Sequence, residues 1–371
     1  MTNYYSRGTQ NWKCTGSTKG DFLFQYAQEA RNLLAREKSV QFSPKSPDSV
    51  NHSKEEITLS FLSGGTSGEP VLVIHSPSTI GAAVDGLVKR LGNHPMDSVC
   101  CLPLWHVGGW MQLERAWRTG GEILFCDYRE ISELSIQEEI LDKWISLVPT
   151  QLQELIKSNS AVENLKLARG IFVGGAEMSQ PLISSIRSIG LSVFPCYGSS
   201  ETAGMITLHN SDSFLKGIEG VGRALPHAEI RVNSASGHIE LRSESLCLSR
   251  GGMCYQKNMW FETRDLGKLD DTGNLSILGR SDRIINTGGE KVDPSLIEKI
   301  LYSTGYVEEC LVYGEPDKKW GHKVVACVCP ENIDLFRLQA AVKDRLVGPM
   351  KPKVWKKRNK LPLSEMGKPL A

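Results

Sequence analysis

The first half of the chain alternates short apolar runs with stretches whose apolar residues recur at helical spacing. Five apolar runs are predicted to be strands, over 99–104, 122–126, 144–148, 170–173 and 192–196. Helical patterns fall between most of them. This alternation favours layered α/β structure around a largely parallel sheet.

The residues before this region predict one long helix and two strands. Apolar residues at helical spacing predict a helix over 21–39, and the Pro/Ser-rich stretch 43–53 is typical of a loop. Runs over 58–62 and 71–75 are predicted to be strands. A second helix is expected from Pro77 to about residue 91, because proline is favoured in a first helical turn.

The pattern changes after Thr207. Strands predicted over 229–232, 238–243, 266–269 and 275–279 are separated by Gly/Asp turns, which indicates a β-rich subdomain. From about residue 282 the chain predicts a small α+β unit. Its predicted helices span 294–302 and 334–346, and its predicted strands span 307–313 and 324–329. We therefore expect an α/β protein with a large domain over 1–281, which holds layered sheets and the β-rich subdomain, and a small C-terminal domain over 282–371.

Composition narrows the class of protein. The 371 residues carry 43 Lys+Arg and 42 Asp+Glu, which argues against a nucleic-acid partner. No apolar run approaches the ~20 residues of a membrane span. Residues 1–19 are polar and resemble no export signal, and the ten cysteines have neither zinc-finger nor CxxC spacing, so we expect free thiols and a cytoplasmic protein. Basic residues concentrated between 343 and 368 favour a solvated face or a phosphate-bearing ligand.

The segment 63–70 is the sharpest candidate site. It contains Ser63, Gly64, Gly65, Thr66, Ser67 and Gly68, between two predicted strands. The glycines permit close approach of the backbone, and hydroxyl and backbone N–H groups can surround a phosphate. A flexible turn is the alternative, and the missing GK[ST] excludes a P-loop of that type.

Two further segments carry polar groups suited to a nucleotide. Ser200 and Glu201 follow a predicted strand, where a hydroxyl beside a carboxylate suits phosphate with Mg²⁺. The alternative is a strand-to-helix turn with a serine N-cap. Asp265 suits a ribose diol and Arg280 can add donors beside it, unless both lie in polar turns. Gly367-Lys368 could equally be a solvated tail.

Taken in this order, the segments resemble the adenylate-forming superfamily of acyl- and aryl-CoA synthetases, luciferases and peptide-synthetase adenylation domains. The likeness runs from about residue 57 onward. It implies ATP, Mg²⁺ and coenzyme A as the small-molecule partners, a small C-terminal domain that is mobile, and a possible homodimer.

The resemblance also implies roles for individual residues. Ser63 to Gly68 would hold the β- and γ-phosphates, Ser200 would contact the α-phosphate, and Glu201 would hold Mg²⁺. The ribose would lie at Asp265 and Arg280, and Lys368 would be the catalytic lysine. Residues framing adenine and the acyl group would be Gly174, Gly175, Ala176, Tyr197, Gly198 and Ser199. Asp282 would be the hinge between the domains, with Gly288 and Gly289 at the channel for coenzyme A.

A narrower likeness is to the o-succinylbenzoate–CoA ligases of menaquinone and phylloquinone biosynthesis. Segments 102–109, 148–152, 174–176 and 319–321 carry it. It implies that His106 gates the site or contacts the adenylate, and that the acyl group also lies against Gly198. Arg115 is the candidate for the second carboxylate of the substrate, because arginine suits bidentate carboxylate contacts. Arg118 is the rival, and a surface arginine is the simplest alternative.

Three departures keep other functions open. Glu69 and Val71 stand where lysines are common in the phosphate loop, and Arg264 replaces a glycine in what is expected to be a tight turn. They motivate a non-catalytic nucleotide-binding relative as an alternative. Another aryl- or acyl-CoA ligase and an enzyme that loads a carrier protein are the remaining ones.

Overall fold

The computed structural model describes residues 11–50, 57–63, 70–256 and 258–362. The helices are α1 (Thr18–Ala35), α2 (Pro77–Leu91), α3 (Val107–Thr119), α4 (Gln137–Ile140), α5 (Pro149–Leu155), α6 (Asn159–Leu167), α7 (Gln180–Ile189), α8 (Ser211–Leu215), α9 (Pro294–Tyr302) and α10 (Leu335–Val342). The strands are β1 (Trp12–Cys14), β2 (Ser39–Phe42), β3 (Pro47–Val50), β4 (Leu59–Ser63), β5 (Val71–His75), β6 (Ser98–Cys100), β7 (Ile123–Phe125), β8 (Trp144–Leu147), β9 (Gly170–Val173), β10 (Val193–Ser199), β11 (Gly204–Leu208), β12 (Arg223–Ala224), β13 (Ala228–Val232), β14 (His238–Ser243), β15 (Ser249–Arg250), β16 (Met253–Cys254), β17 (Phe261–Leu269), β18 (Leu275–Arg280), β19 (Ile285–Thr287), β20 (Glu290–Val292), β21 (Glu309–Asp317), β22 (Gly321–Cys329) and β23 (Val354–Lys357).

An eight-stranded sheet forms the centre of the large domain, in the order β1-β7-β6-β8-β9-β10-β11-β12. It is parallel from β1 to β10, and β11 and β12 extend it antiparallel. Every residue of β7 and β9 is buried, as expected of parallel strands covered on both faces. The predicted layered α/β architecture is confirmed. Because the strands are parallel, the carboxyl ends of β6, β8, β9 and β10 lie at one edge.

A six-stranded sheet packs beside it, in the order β16-β15-β5-β4-β2-β3. Two sequence predictions are wrong here. The stretch 43–53 contains β3, a short edge strand that begins at Pro47, and proline at an edge hides a strand because it cannot donate to a ladder. Strands β15 and β16 lie within the region assigned to the β-rich subdomain, but they join this sheet through β5.

The β-rich subdomain is a four-stranded antiparallel sheet in the order β13-β14-β17-β18. Its last two strands are joined by a turn at Asp270, whose carboxylate accepts the backbone N–H groups of Thr272 and Asn274. This pairing brings Asp265 directly opposite Arg280. Residue 264 therefore lies inside β17, and the expectation of a tight turn there is wrong.

The C-terminal part has its own sheet, in the order β20-β19-β22-β21 with β23 beside β22, and its own buried core between this sheet, α9 and α10. The chain enters it from β18 through a 3₁₀ turn at Ser281–Arg283. Lys299 Nζ on α9 lies 3.1 Å from Glu177 Oε1 of the large domain. The domain boundary at residue 282 stays a prediction.

Two whole-chain expectations can be compared with the described residues. All ten cysteines are free thiols, and seven of them are buried. Among the described residues no helix is both long and apolar enough to cross a membrane.

Candidate active site

Two loops that were predicted to contact the nucleotide lie side by side at the carboxyl edge of the parallel sheet. Gly174 to Ala176 follow β9, and residues 199–202 follow from the neighbouring strand β10. Gly198 permits the close approach of β10 to β11, because a Cβ there would lie 1.9 Å from the carbonyl oxygen of Gly204. The edge therefore presents Ser199, Ser200 and Glu201 beside the glycine loop.

The turn that carries Ser200 and Glu201 is held by its backbone. Three consecutive carbonyl oxygens each accept one hydrogen bond of 2.8 Å. The donors are His75 Nε2 to Ser200, the Cys247 N–H to Glu201, and Ser245 Oγ to Thr202. His75 and the segment that carries Ser245 and Cys247 hold the turn from two distant parts of the chain, so its side chains are oriented before any ligand binds.

His75 is a positioning residue that the sequence did not reveal. It is fully buried at the end of β5, and its Nδ1 lies 3.0 Å from Thr79 Oγ1. The Ser200 carbonyl can only accept, so Nε2 must carry the hydrogen. Burial lowers the pKa of His75 to about 4, so the ring is neutral at pH 7 and its Nδ1 carries no hydrogen.

The predicted ribose site is assembled across β17, β18 and β10. The Arg280 Nη1 group donates to Asp265 Oδ1 at 3.0 Å, and the Tyr197 hydroxyl donates to Oδ2 at 2.7 Å. Burial and the Asp265 charge raise the pKa of Tyr197 well above its usual range, so its hydroxyl stays a donor. Three residues from separate strands thus form one polar group at this edge.

Arg280 also connects the residues of the predicted ribose site to the predicted hinge residue Asp282. Arg280 donates through Nε and Nη2 to the two oxygens of Asp282, at 2.9 and 2.7 Å. Arg264, with 59% of its side chain exposed, lies 3.6 Å from Asp282 Oδ2. Burial raises the pKa of Asp282, but the Arg280 hydrogen bond and the two arginine charges outweigh it and lower the pKa. The departure at 264 therefore adds charge at the hinge and leaves the Asp265–Arg280 pair intact.

Glu201 is the candidate metal ligand. Its Oε1 accepts from Arg250 Nε at 2.7 Å, while Oε2 has no hydrogen-bond partner among the described residues. No group of three His, Cys, Asp or Glu in the described part of the chain could hold a metal by itself. Magnesium is commonly bound by one or two carboxylates together with substrate phosphates. The donor set fits Mg²⁺ that arrives with a nucleotide, and not a metal held by protein groups alone.

The predicted phosphate loop is described only at its start. The Ser63 hydroxyl donates to the Val71 carbonyl at 3.1 Å, where β4 and β5 pair at the base of the loop. Gly64, Gly65, Thr66, Ser67 and Gly68 lie outside the described residues, as does Lys368. Their roles stay predictions.

Helix α3 carries both predicted acyl-side residues. His106 is its N-cap and is half-buried beside Trp105. Arg115 is only 4% exposed and lies against the Phe172 ring at 5.2 Å. Its Nε donates to the Met111 carbonyl and its Nη2 to Ser146 Oγ, whereas Nη1 is buried and bonds to no residue that the structure describes.

Within the described ranges, Arg115 is thus a buried cation without a carboxylate partner. Burial lowers the pKa of its guanidinium to about 10, and an anionic ligand would restore the charge balance. Arg118 differs, since its Nε donates to buried Glu114 at 2.8 Å and its Nη2 to the Pro77 carbonyl. Of the two candidates, Arg118 already has a carboxylate partner, whereas Arg115 has none among the described residues.

Gly288 and Gly289 form the two-residue turn between β19 and β20, with φ of 61° and 86°. Both angles lie in the left-handed region that glycine adopts without strain. The Gly288 N–H donates to the Trp320 carbonyl at 2.8 Å. The turn is an exposed feature of the C-terminal sheet.

Family models match most of the chain. The model described as AMP-binding enzyme matches residues 13–248, and the model described as AMP-binding enzyme C-terminal domain matches residues 296–368. The chain is similar to 2-succinylbenzoate–CoA ligase of Lactococcus lactis, with 30% identity over 328 residues that cover 86% of this chain and 71% of that enzyme. It is also similar to the enzyme of the same name from Escherichia coli K12, with 28% identity over 79% of this chain and 63% of that enzyme.

Solved structures share the fold. The o-succinylbenzoate CoA synthetase (MenE) from Bacillus subtilis, in complex with the acyl-adenylate intermediate OSB-AMP, matches with a TM-score of 0.72 and 22% identity, over 97% of this chain and 77% of that one. ATP-bound MatB from Rhodopseudomonas palustris matches with a TM-score of 0.74 and 24% identity, over 84% of this chain and 66% of that one. The chain thus spans about two thirds to three quarters of the length of these relatives.

Proposed function

This chain belongs to the AMP-binding enzyme family, and we propose that it is an AMP-forming acid–CoA ligase that converts o-succinylbenzoate to its coenzyme A thioester. In the first half-reaction the substrate carboxylate attacks the α-phosphorus of ATP and expels pyrophosphate. In the second, the thiolate of coenzyme A attacks the acyl-adenylate and expels AMP. The product would serve menaquinone or phylloquinone synthesis.

The site groups are suited to positioning and charge neutralisation, which are the main needs of this chemistry. Asp265 would accept from the ribose diol, with Arg280 holding its orientation. Ser200 would donate to the α-phosphate from its fixed turn. When bound to Glu201, Mg²⁺ would neutralise phosphate charge. Lys368 would place its positive charge beside the α-phosphate and the reacting carboxylate.

The observation that carries the choice of substrate is the unpaired Nη1 of Arg115. A buried guanidinium whose Nη1 has no partner and that pairs with no acidic side chain, as far as the chain is described, favours a substrate with a second carboxylate. His106 begins the same helix and would lie nearer the reacting carboxylate. The ten free thiols support a reducing compartment, so we place the reaction in the cytoplasm.

The direct test measures ATP–pyrophosphate exchange and coenzyme A thioester formation with o-succinylbenzoate, benzoate or a fatty acid. We expect both activities to require o-succinylbenzoate. Activity with only the other acids would retain the acid–CoA ligase and reject this substrate. Adenylation without thioester formation would favour loading of a carrier protein, and inactivity with every acid would favour a non-catalytic nucleotide-binding protein.

A first prediction concerns His75. We expect His75→Phe to lower the pyrophosphate exchange rate about tenfold or more, because the Ser200 carbonyl loses its buried donor. His75→Gln, which retains an N–H donor, should recover part of that rate. The measurement is steady-state exchange at pH 7.5, with ATP and acid varied to separate KM from kcat.

His227 provides the matched control. It is also buried, burial also lowers its pKa to about 4, and its ring lies against Gly86. For both histidines the unfolded chain binds more protons below the ordinary pKa of 6.5, so stability falls as the pH drops from about 6.5 towards 4. His75→Gln and His227→Gln should both flatten the dependence of Tm on pH, and only His75→Gln should change the exchange rate. If both variants lose pyrophosphate exchange activity equally, His75 contributes to stability and does not position the site.

A further inference from the structure

Arg250 lies between two parts of the candidate nucleotide site. It is in β15, which pairs with β5 and places Arg250 opposite Val73. The next residue, Gly251, donates its backbone N–H to the Leu72 carbonyl at 2.9 Å. Strand β5 begins at Val71, immediately after the segment 63–70. Arg250 therefore sits on the strand beside the exit of the predicted phosphate loop.

The guanidinium of Arg250 is only partly used by the protein. Its Nε donates to Glu201 Oε1, with 34% of the Arg250 side chain and 14% of the Glu201 side chain exposed. Its Nη1 and Nη2 groups have no hydrogen bond to any described residue. An arginine held through Nε keeps four N–H donors in a planar fork, which suits phosphate oxygens.

The resemblance to the family implies a need for such a charge. Glu69 and Val71 stand at the two loop positions where lysines are common in the family that the chain resembles. A triphosphate bound at this loop would therefore lack cations that are usual there. Arg250 is a cation on the strand adjacent to Val71, beside the carboxylate that is suited to Mg²⁺.

We propose that Arg250 binds the β- and γ-phosphates of ATP and takes over the role of the missing loop lysines. The inference rests on the proposed function for its ligand. While the substrate carboxylate oxygen forms its bond to the α-phosphorus, the bond from that phosphorus to the bridging oxygen breaks. The electron pair goes to the departing pyrophosphate, and the Nη donors of Arg250 stabilise the charge that builds there.

The test compares equilibrium binding of MgATP and of AMP by calorimetry, without acid substrate. We expect Arg250→Gln to weaken MgATP binding about 10- to 100-fold and to leave AMP binding within about twofold, since charged hydrogen bonds to the β- and γ-phosphates are lost. Adding Val71→Lys to Arg250→Gln should restore part of the MgATP affinity. Val71→Lys alone should change it little.

Arg242→Gln is the matched control. Arg242 is also a strand arginine paired with a glutamate, Glu229, and its side chain is 36% exposed. It should leave both affinities unchanged. Arg250→Lys, which keeps the charge, should lose less MgATP affinity than Arg250→Gln, and it decides the question if the glutamine variant fails to fold, as judged by its Tm.

Equal weakening of MgATP and AMP would overturn the proposal, because Arg250 would then only hold Glu201 in place. Unchanged MgATP binding, or the absence of rescue by Val71→Lys, would overturn it as well. The proposed function can fail independently of the role of Arg250. If the wild type binds MgATP but makes no thioester, the ligase reaction is rejected. The ratio of MgATP affinity to AMP affinity in the Arg250 variants then still tests the role of Arg250. A wild type that binds no MgATP rejects both.

Discussion

Replacement of Lys368 by alanine is expected to lower the rate of adenylate formation by about 10²–10³-fold. The ammonium group would oppose the negative charge that develops as the carboxylate attacks the α-phosphorus. The substitution removes this positive charge from the transition state of adenylate formation. Single-turnover formation of acyl-adenylate and pyrophosphate, with o-succinylbenzoate and ATP, measures the loss.

The rate of the second half-reaction distinguishes a role of Lys368 in adenylation from a general loss of enzyme activity. If Lys368 acts in adenylation, the variant should convert a supplied acyl-adenylate to the thioester at nearly the wild-type rate. Lys360→Ala, an exposed lysine of the same basic segment, should leave both half-reactions unchanged. Equal loss in both halves for Lys368→Ala would contradict a role confined to the α-phosphate.

The second large effect is expected at Arg115. Arg115→Met should lower kcat/KM for o-succinylbenzoate by about 100-fold, because the second carboxylate would lose a charge-assisted partner. The same variant should keep or raise Tm, since an apolar chain of similar volume replaces a buried cation that has no counter-ion in the described part of the chain. Steady-state kinetics and thermal unfolding of the same preparation measure both quantities.

Arg118→Met is the natural comparison on the same helix. It breaks the pair with buried Glu114, so it should destabilise the protein by about 3 kcal/mol and lower Tm. Its kcat/KM ratio between o-succinylbenzoate and benzoate should stay near the wild-type value. A variant Arg115→Met that loses stability and keeps its substrate preference would contradict the carboxylate role.

Some elements of the fold can be predicted from the local sequence, and others cannot. The bounds of α2 and α9 are predictable because each has a capping residue, Ser76 or Asp293, followed by proline. The strands β5 and β9 are equally clear from their apolar runs. Short edge strands such as β3 are missed because they lack the pattern of a strand buried on one face.

The residues of the predicted ribose site were predictable only in part. The residue types at Asp265 and Arg280 suggested a nucleotide, and a turn between their strands was evident. A register shift at Leu266/Gly267 decides which residues face each other, and this shift has no local sequence signal. The contact from Tyr197 spans 68 residues of sequence and depends on the packing of separate sheets.

The sequence by itself determined the α/β class, the positions of most strands and helices, and the residue types that suit ATP, magnesium and a carboxylate substrate. These properties follow from periodicity, capping and side-chain chemistry, which are local. Only the tertiary structure decided which groups act together. His75 reaches Ser200 across 125 positions and Arg250 reaches Glu201 across 49. Such pairs form because the sheet that holds β5 and β15 lies against the turn after β10 of the other sheet. Only burial in the folded chain leaves Arg115 with a donor that no described residue accepts.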